Sequence, residues 1–115
     1  MKIKISSLKK NEDFKSLLAG KKISNKYLTI FFKKLSYENN KSLNISFVAQ
    51  KKIGNAVKRN KIKRRLKNMV RDICKKIKIN LNYSYLIIAK KKILEDEFQI
   101  IREELFNDLK KTKKI

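Results

Sequence analysis

Histidine, proline and tryptophan are absent from this 115-residue chain, glycine occurs twice and cysteine once. Without histidine, the commonest general base and imidazole metal ligand are missing. The single Cys74 cannot form an internal disulfide, which fits a reducing cytoplasm. No apolar run approaches the ~20 residues that cross a bilayer, so no membrane partner is expected. The N-terminal MKIKISSLKKNEDF lacks the apolar core of a signal peptide, and a cytoplasmic location is expected. Heavy use of Lys, Ile and Asn beside so little Gly and Pro points to a bias towards A·T-rich codons. With no internal repeat and no low-complexity linker, residues 1–115 read as one domain.

Acids are scarce as well: ten Asp and Glu stand against 32 Lys and Arg, a net charge of +22. None lies between Glu38 and Asp72. Apolar residues make up 42% of the chain, too many for a disordered polycation. A folded domain with this charge calls for a polyanionic partner, most commonly nucleic acid.

The densest charge is in Lys51–Arg71, KKIGNAVKRNKIKRRLKNMVR, where ten of 21 residues are basic. At ~100° per residue, a helix after Asn55 gathers Ile62, Leu66, Met69, Val70, Ile73 and Ile77 on one face. Asn60, Lys63, Arg64, Lys67 and Arg71 form the opposite stripe. A solvated helix face normally interleaves Glu with Lys. Here Arg59/Lys63, Lys61/Arg65, Lys63/Lys67 and Lys67/Arg71 are like-charge pairs, costing roughly 1–2 kcal/mol in all. No local carboxylate offsets that repulsion. A polyanion would.

Residues 1–10 read as a loose basic arm. Asn11 can cap a short helix reaching about Ala19, with Glu12 and Asp13 in its positive first turn and Gly20 at its end. Phe14, Leu17 and Leu18 are its apolar positions. Tyr27–Leu35 alternates as a strand, with Leu28, Ile30 and Phe32 on one side and Tyr27, Thr29, Phe31 and Lys33 on the other. After the turn SYENNK, Leu43–Gln50 alternates likewise, placing Leu43, Ile45, Phe47 and Ala49 opposite Asn44, Ser46, Val48 and Gln50. Bases could stack on the face carrying Phe31 and Lys33, at ~1–3 kcal/mol per base. Ordinary core packing is the competing reading for Phe31, as it is for Phe14.

Lys51 and Lys52 close this strand, and Ile53-Gly54-Asn55 turns into the basic helix, with Asn55 as its cap. Arg59 and Asn60 fall near its start, where free N–H groups favour phosphate. That helix is expected to reach about Ile79. Tyr83–Ala89 is nearly all apolar, hence a central strand, and Lys90, Lys91 and Lys92 add a second positive spot at its end. Residues 95–108 hold six of the ten acids, with Phe98, Ile101, Leu105 and Leu109 at helical spacing. This amphipathic helix is expected to face away from RNA, and residues 110–115 to be frayed. No serine or cysteine has a plausible activating base, and Glu95, Asp96 and Glu97 read as surface charges. No catalytic residue and no protein-held metal is expected.

KKIGNAVKRNKIKRR resembles the signature of the bacterial ribonuclease P protein subunit: a basic pair, a short turn, then Arg-Asn-Arg-Ile-Lys-Arg on a helix. The matching run is Arg59-Asn60-Lys61-Ile62-Lys63-Arg64, with one Lys for Arg. The resemblance implies an α+β fold, a single-domain α/β sandwich of order αβββαβα. Its βαβ crossover would be left-handed, against the right-handed rule that holds in ~98% of cases. It also implies that a catalytic RNA subunit hydrolyses the phosphodiester with bound Mg²⁺. The protein would help that RNA hold precursor tRNA and strengthen Mg²⁺ binding, as one RNA with one protein and no further protein partner. Lys51, Lys52, Asn55, Arg59, Asn60, Lys61, Lys63, Arg64, Arg65 and Lys67 would hold the catalytic RNA. Phe14, Leu17, Leu18, Tyr27, Phe31, Lys33, Ser46, Val48 and Lys90 would form a cleft for the single-stranded 5′ leader. Leu17 or Leu18 stands where the family has a second aromatic. Ser46 and Gln50 stand where Gly and Ser or Ala are more usual. A ribosomal protein or general RNA chaperone shares the charge without the cleft. A major-groove DNA-binding module lacks a dimerisation segment here.

Overall fold

Period-two alternation builds the sheet and helical periodicity covers it. The computed structural model describes residues 4–6, 11–38 and 41–112. Its elements are β1 (Lys4–Ser6), α1 (Asn11–Leu18), β2 (Lys21–Ser24), β3 (Leu28–Lys34), β4 (Ser42–Ala49), α2 (Ala56–Cys74), β5 (Tyr83–Ala89) and α3 (Phe98–Lys111). Short 3₁₀ turns at Lys51–Ile53 and Lys91–Leu94 follow β4 and β5. The expected order αβββαβα is present, preceded by β1. The five strands lie in the order β1-β4-β5-β3-β2. β4 and β5 are parallel neighbours joined through α2, while β3 runs antiparallel to both β5 and β2.

One sheet face carries Leu28, Ile30 and Phe32 of β3, Leu43 and Ile45 of β4, and Tyr85, Ile87 and Ala89 of β5, all buried. They share a core with Ile62, Leu66, Met69, Val70 and Ile73 of α2 and Ile101, Leu105 and Leu109 of α3. Burying a large aliphatic side chain contributes ~1.5–3 kcal/mol. Five such residues on α2 therefore outweigh the ~1–2 kcal/mol of like-charge repulsion on its other side. Asn55 caps α2, its side chain accepting the Lys58 N–H at 3.0 Å. Gly54 has φ 148°, and a Cβ there would meet Lys58 Cδ at 2.8 Å, so this junction requires glycine.

Three boundaries differ from the expectation. Lys4–Ser6 is not part of a loose arm but pairs in parallel with Ser42–Asn44 of β4; residues 1–3 and 7–10 lie outside the described residues. The basic helix stops at Cys74 rather than near Ile79, because Lys75 caps it through Asp72 and Ile73. Ile77 and Ile79 still pack on the core from an irregular segment, so apolar spacing outlasts the helix. At the other end, Thr112 is buried and donates its hydroxyl to the Leu109 carbonyl at 2.6 Å, so 110–112 belong to α3 and its cap. Residues 113–115, and 39–40 of the SYENNK turn, lie outside the described residues, as do the side chains of Asn11, Glu12 and Asp13.

Candidate nucleic-acid interface

With its apolar face against the sheet, α2 presents eight Lys and Arg and one acid, Asp72, along Ala56–Cys74. Lys58, Asn60, Lys61, Arg64 and Arg71 are exposed, as are Lys51, Lys52 and Asn55 ahead of the helix. Lys63 and Lys67 are half-buried along the border between the two faces. Ion pairs among the described residues include Lys26–Asp96, Lys75–Asp72, Arg102–Asp72 and Lys111–Asp108. None reaches the cations between Lys58 and Arg71. Arg59 is half-buried, and its Nε is shielded from solvent with no hydrogen-bond partner. A donor left in that condition is costly unless a ligand accepts from it. Arg65 departs from the rest: its guanidinium lies 4.1 Å from the Phe98 ring centroid, clamping α2 to α3 by a cation–π contact.

Among the described residues, α1 covers part of the second face of the sheet, where it crosses β3 and β5. Strand register arranges its side chains in rows. Lys22, Phe31, Leu86 and Ser46 form one row, and Ser24, Thr29, Ile88 and Val48 the next. Leu17 is 2% exposed and Leu86 1%, so the α1–sheet contact closes on these two while Leu18, at 51%, stays in solvent. Phe14 and Phe31 are half-buried and Val48 is exposed.

Several expected cleft residues sit elsewhere. Tyr27 is in the core, 1% exposed, and its hydroxyl donates to Asp96. That hydrogen bond raises the phenol above its ordinary range. The physical reason is the turn before β3. Asn25 Oδ1 accepts the N–H of Tyr27 at 2.7 Å and of Leu28 at 3.0 Å, so residue 27 lies on a bend where strand alternation does not apply. Leu17 packs inward and offers no open surface; of the two leucines only Leu18 does. Ser46 is 6% exposed, in the row with Phe31 and Leu86, and gives the face little open surface. Lys33 donates to Ser16 Oγ at 2.6 Å, on the side of α1 away from Phe14 and Leu18. Lys90 does stand at the open face, held by Ser24 Oγ and the Asn25 carbonyl, each at 2.7 Å. Behind it, Asn25 Nδ2 donates to the buried Asp108 at 2.7 Å. No local pattern announced that link, because its partners are 83 residues apart.

A model of the Ribonuclease P family matches residues 3–113. The chain belongs to the ribonuclease P protein family. The ribonuclease P protein component of Mesomycoplasma hyopneumoniae is 35% identical over 115 residues, covering 96% of this chain and 98% of the relative. That of Carboxydothermus hydrogenoformans is 33% identical over 109 residues, covering 93% and 90%. Among solved structures, the RNase P protein of Thermotoga maritima is 30% identical with a TM-score of 0.70, covering 92% of this chain and 96% of that one. The Staphylococcus aureus RNase P protein is 26% identical with a TM-score of 0.72, covering 93% and 94%. As a ribonuclease P protein component, the chain is an RNA-binding member of the tRNA-processing machinery, and its fold is that of the solved ribonuclease P proteins.

Proposed function

We propose that this protein binds the catalytic RNA of ribonuclease P through the outer side of α2, and the 5′ leader of precursor tRNA on the open face of the sheet. The observation that carries the first half is the unpaired row of cations on α2. Asn60, Lys61 and Arg64 are exposed beside the unpartnered Arg59 Nε, and no carboxylate among the described residues neutralises them. Phosphates fill that role by charge and by the free N–H groups of the capped helix start. The second half rests on Phe14, Leu18, Phe31 and Val48 around α1, with Lys90 at the rim. Stacking and phosphate contact of this kind hold a strand with little regard to its sequence.

Hydrolysis belongs in this reading to the RNA subunit, whose Mg²⁺ ions supply the activated water. The cationic side of α2 would repel such an ion. The chain's own part is to neutralise phosphate repulsion between RNA and substrate and to hold the leader beside the cut. One protein with one RNA suffices, acting in the cytoplasm on the 5′ end of precursor tRNA. The test is cleavage of precursor tRNA by a bacterial ribonuclease P RNA at low Mg²⁺, with and without the protein. Stimulation is the expected result. Tight RNA binding with unchanged cleavage would favour a general RNA chaperone and overturn this reading.

A further inference from the structure

Ten aromatic side chains occur in the chain. Nine are buried or half-buried, while Tyr37 is 59% exposed. A single exposed aromatic needs no explanation by itself. Tyr37, however, lines a hollow of about 250 Å³ whose other walls include Ser16, Leu17, Lys33 and Lys34, and whose lining holds no acid. The floor is one row of strand register: Lys33 opposite Ser84, and Ser84 opposite Asn44. Ser84 is 6% exposed and donates its hydroxyl to Asn44 Oδ1 at 3.1 Å. With Oδ1 engaged, the Asn44 amide has its N–H donors left, and no described residue takes them.

This hollow is separate from the leader surface. With Leu17 directed at the sheet, helical spacing puts Ser16 on one flank of α1 and both Phe14 and Leu18 on the other. Ser16 and Leu17 line the hollow, and Phe14 and Leu18 do not. A larger hollow of about 440 Å³, between α2 and α3, includes Asp72 and Glu103 and so does not suit an anionic ligand.

We propose that the hollow beside Tyr37 is a second RNA-strand site that takes one nucleotide. The base stacks on the Tyr37 ring. Its edge accepts from Asn44, and Lys33 and Lys34 neutralise the phosphate. The size supports a single base: enclosed pockets for drug-sized ligands run to ~300–1,000 Å³, above this one. The two free N–H donors of Asn44 suit a base edge that presents acceptors, such as uracil O4 or guanine O6 and N7.

The experiment is a ¹⁵N–¹H NMR titration of the full chain with pentauridylate, uridine monophosphate and inorganic phosphate in parallel. Pentauridylate is expected to shift the Tyr37, Asn44 and Ser84 amides. Tyr37→Ala should weaken binding read at Asn44 and Ser84 by about 5- to 160-fold, the span of one base–aromatic stack. Tyr37→Phe, which keeps the ring, should retain it. Tyr37 is exposed, so neither change threatens the fold. Shifts confined to Phe31 and Val48 would overturn the proposal and leave the leader reading standing. Equal responses to inorganic phosphate, unmoved by Tyr37→Ala, would reduce the hollow to an anion site. Uridine monophosphate binding as tightly as the pentamer would reject the strand and leave a mononucleotide site. Loss of pentauridylate shifts at Phe31 and Val48 alone would count against the leader surface and not against this one.

Discussion

α2 and α3 pack against the same sheet face and bury similar apolar stripes, yet their outer sides have opposite characters. Along Ala56–Cys74 there are eight basic residues and one acid; along Phe98–Lys111 there are three of each. On α3 two of the three basic residues pair within the molecule: Arg102 with Asp72 of α2 at 3.5 Å and Lys111 with Asp108 at 3.8 Å. On α2 the charges from Lys58 to Arg71 have no such partners among the described residues. Burial alone thus does not distinguish the two helices. The difference lies in how the basic residues are balanced: α3 carries as many acids as bases, and α2 one acid for eight bases.

Salt offers the strongest way to break this contrast. If α2 makes 6–10 phosphate contacts, affinity for the catalytic RNA should fall by ~10³–10⁵ between about 50 and 200 mM salt. Lys63→Ala with Arg64→Ala should reduce the slope of log affinity against log salt by about 2, whereas Lys110→Ala with Lys111→Ala should leave it unchanged. Filter binding across a salt series reads both, and equal slopes would mean that charge acts without placement.

The inner sides should behave alike. Leu66→Ala and Leu105→Ala, at positions 0% exposed, should each lower unfolding free energy by about 2–5 kcal/mol in urea melts without RNA. A much smaller loss at Leu66 would mean that α2 depends on RNA for its docking.

The smallest effect concerns the helix starts. Asn55 accepts a hydrogen bond from the backbone of α2, whereas Glu97, at the start of α3, makes no side-chain cap bond. Asn55→Ala should cost ~1 kcal/mol of stability, and Glu97→Ala close to nothing. Thermal melts of the two variants decide it, and equal shifts would remove the distinction.

Much of this architecture could be read from local spacing. The α2 face of Ile62, Leu66, Met69, Val70 and Ile73 is buried as its period requires. β3 and β4 turn Leu28, Ile30, Leu43 and Ile45 inward as alternation requires. The failures share a cause. Tyr27 follows an Asn25-centred turn instead of strand parity, and Arg65 faces Phe98, a residue of a helix much later in the chain. Lys4–Ser6 becomes a strand only because β4 presents a free edge for it.

What the sequence alone determined is the division of α2 into an apolar and a cationic side, because both follow from one fixed helical repeat. The family signature at Arg59–Arg64 is equally local. Only the tertiary structure decided which cations stay unpaired, which aromatics remain in reach of a ligand, and that Lys33 and Phe31 serve different sides of α1. Those outcomes depend on partners brought together by strand pairing and helix docking, and spacing along a chain does not encode distance across it.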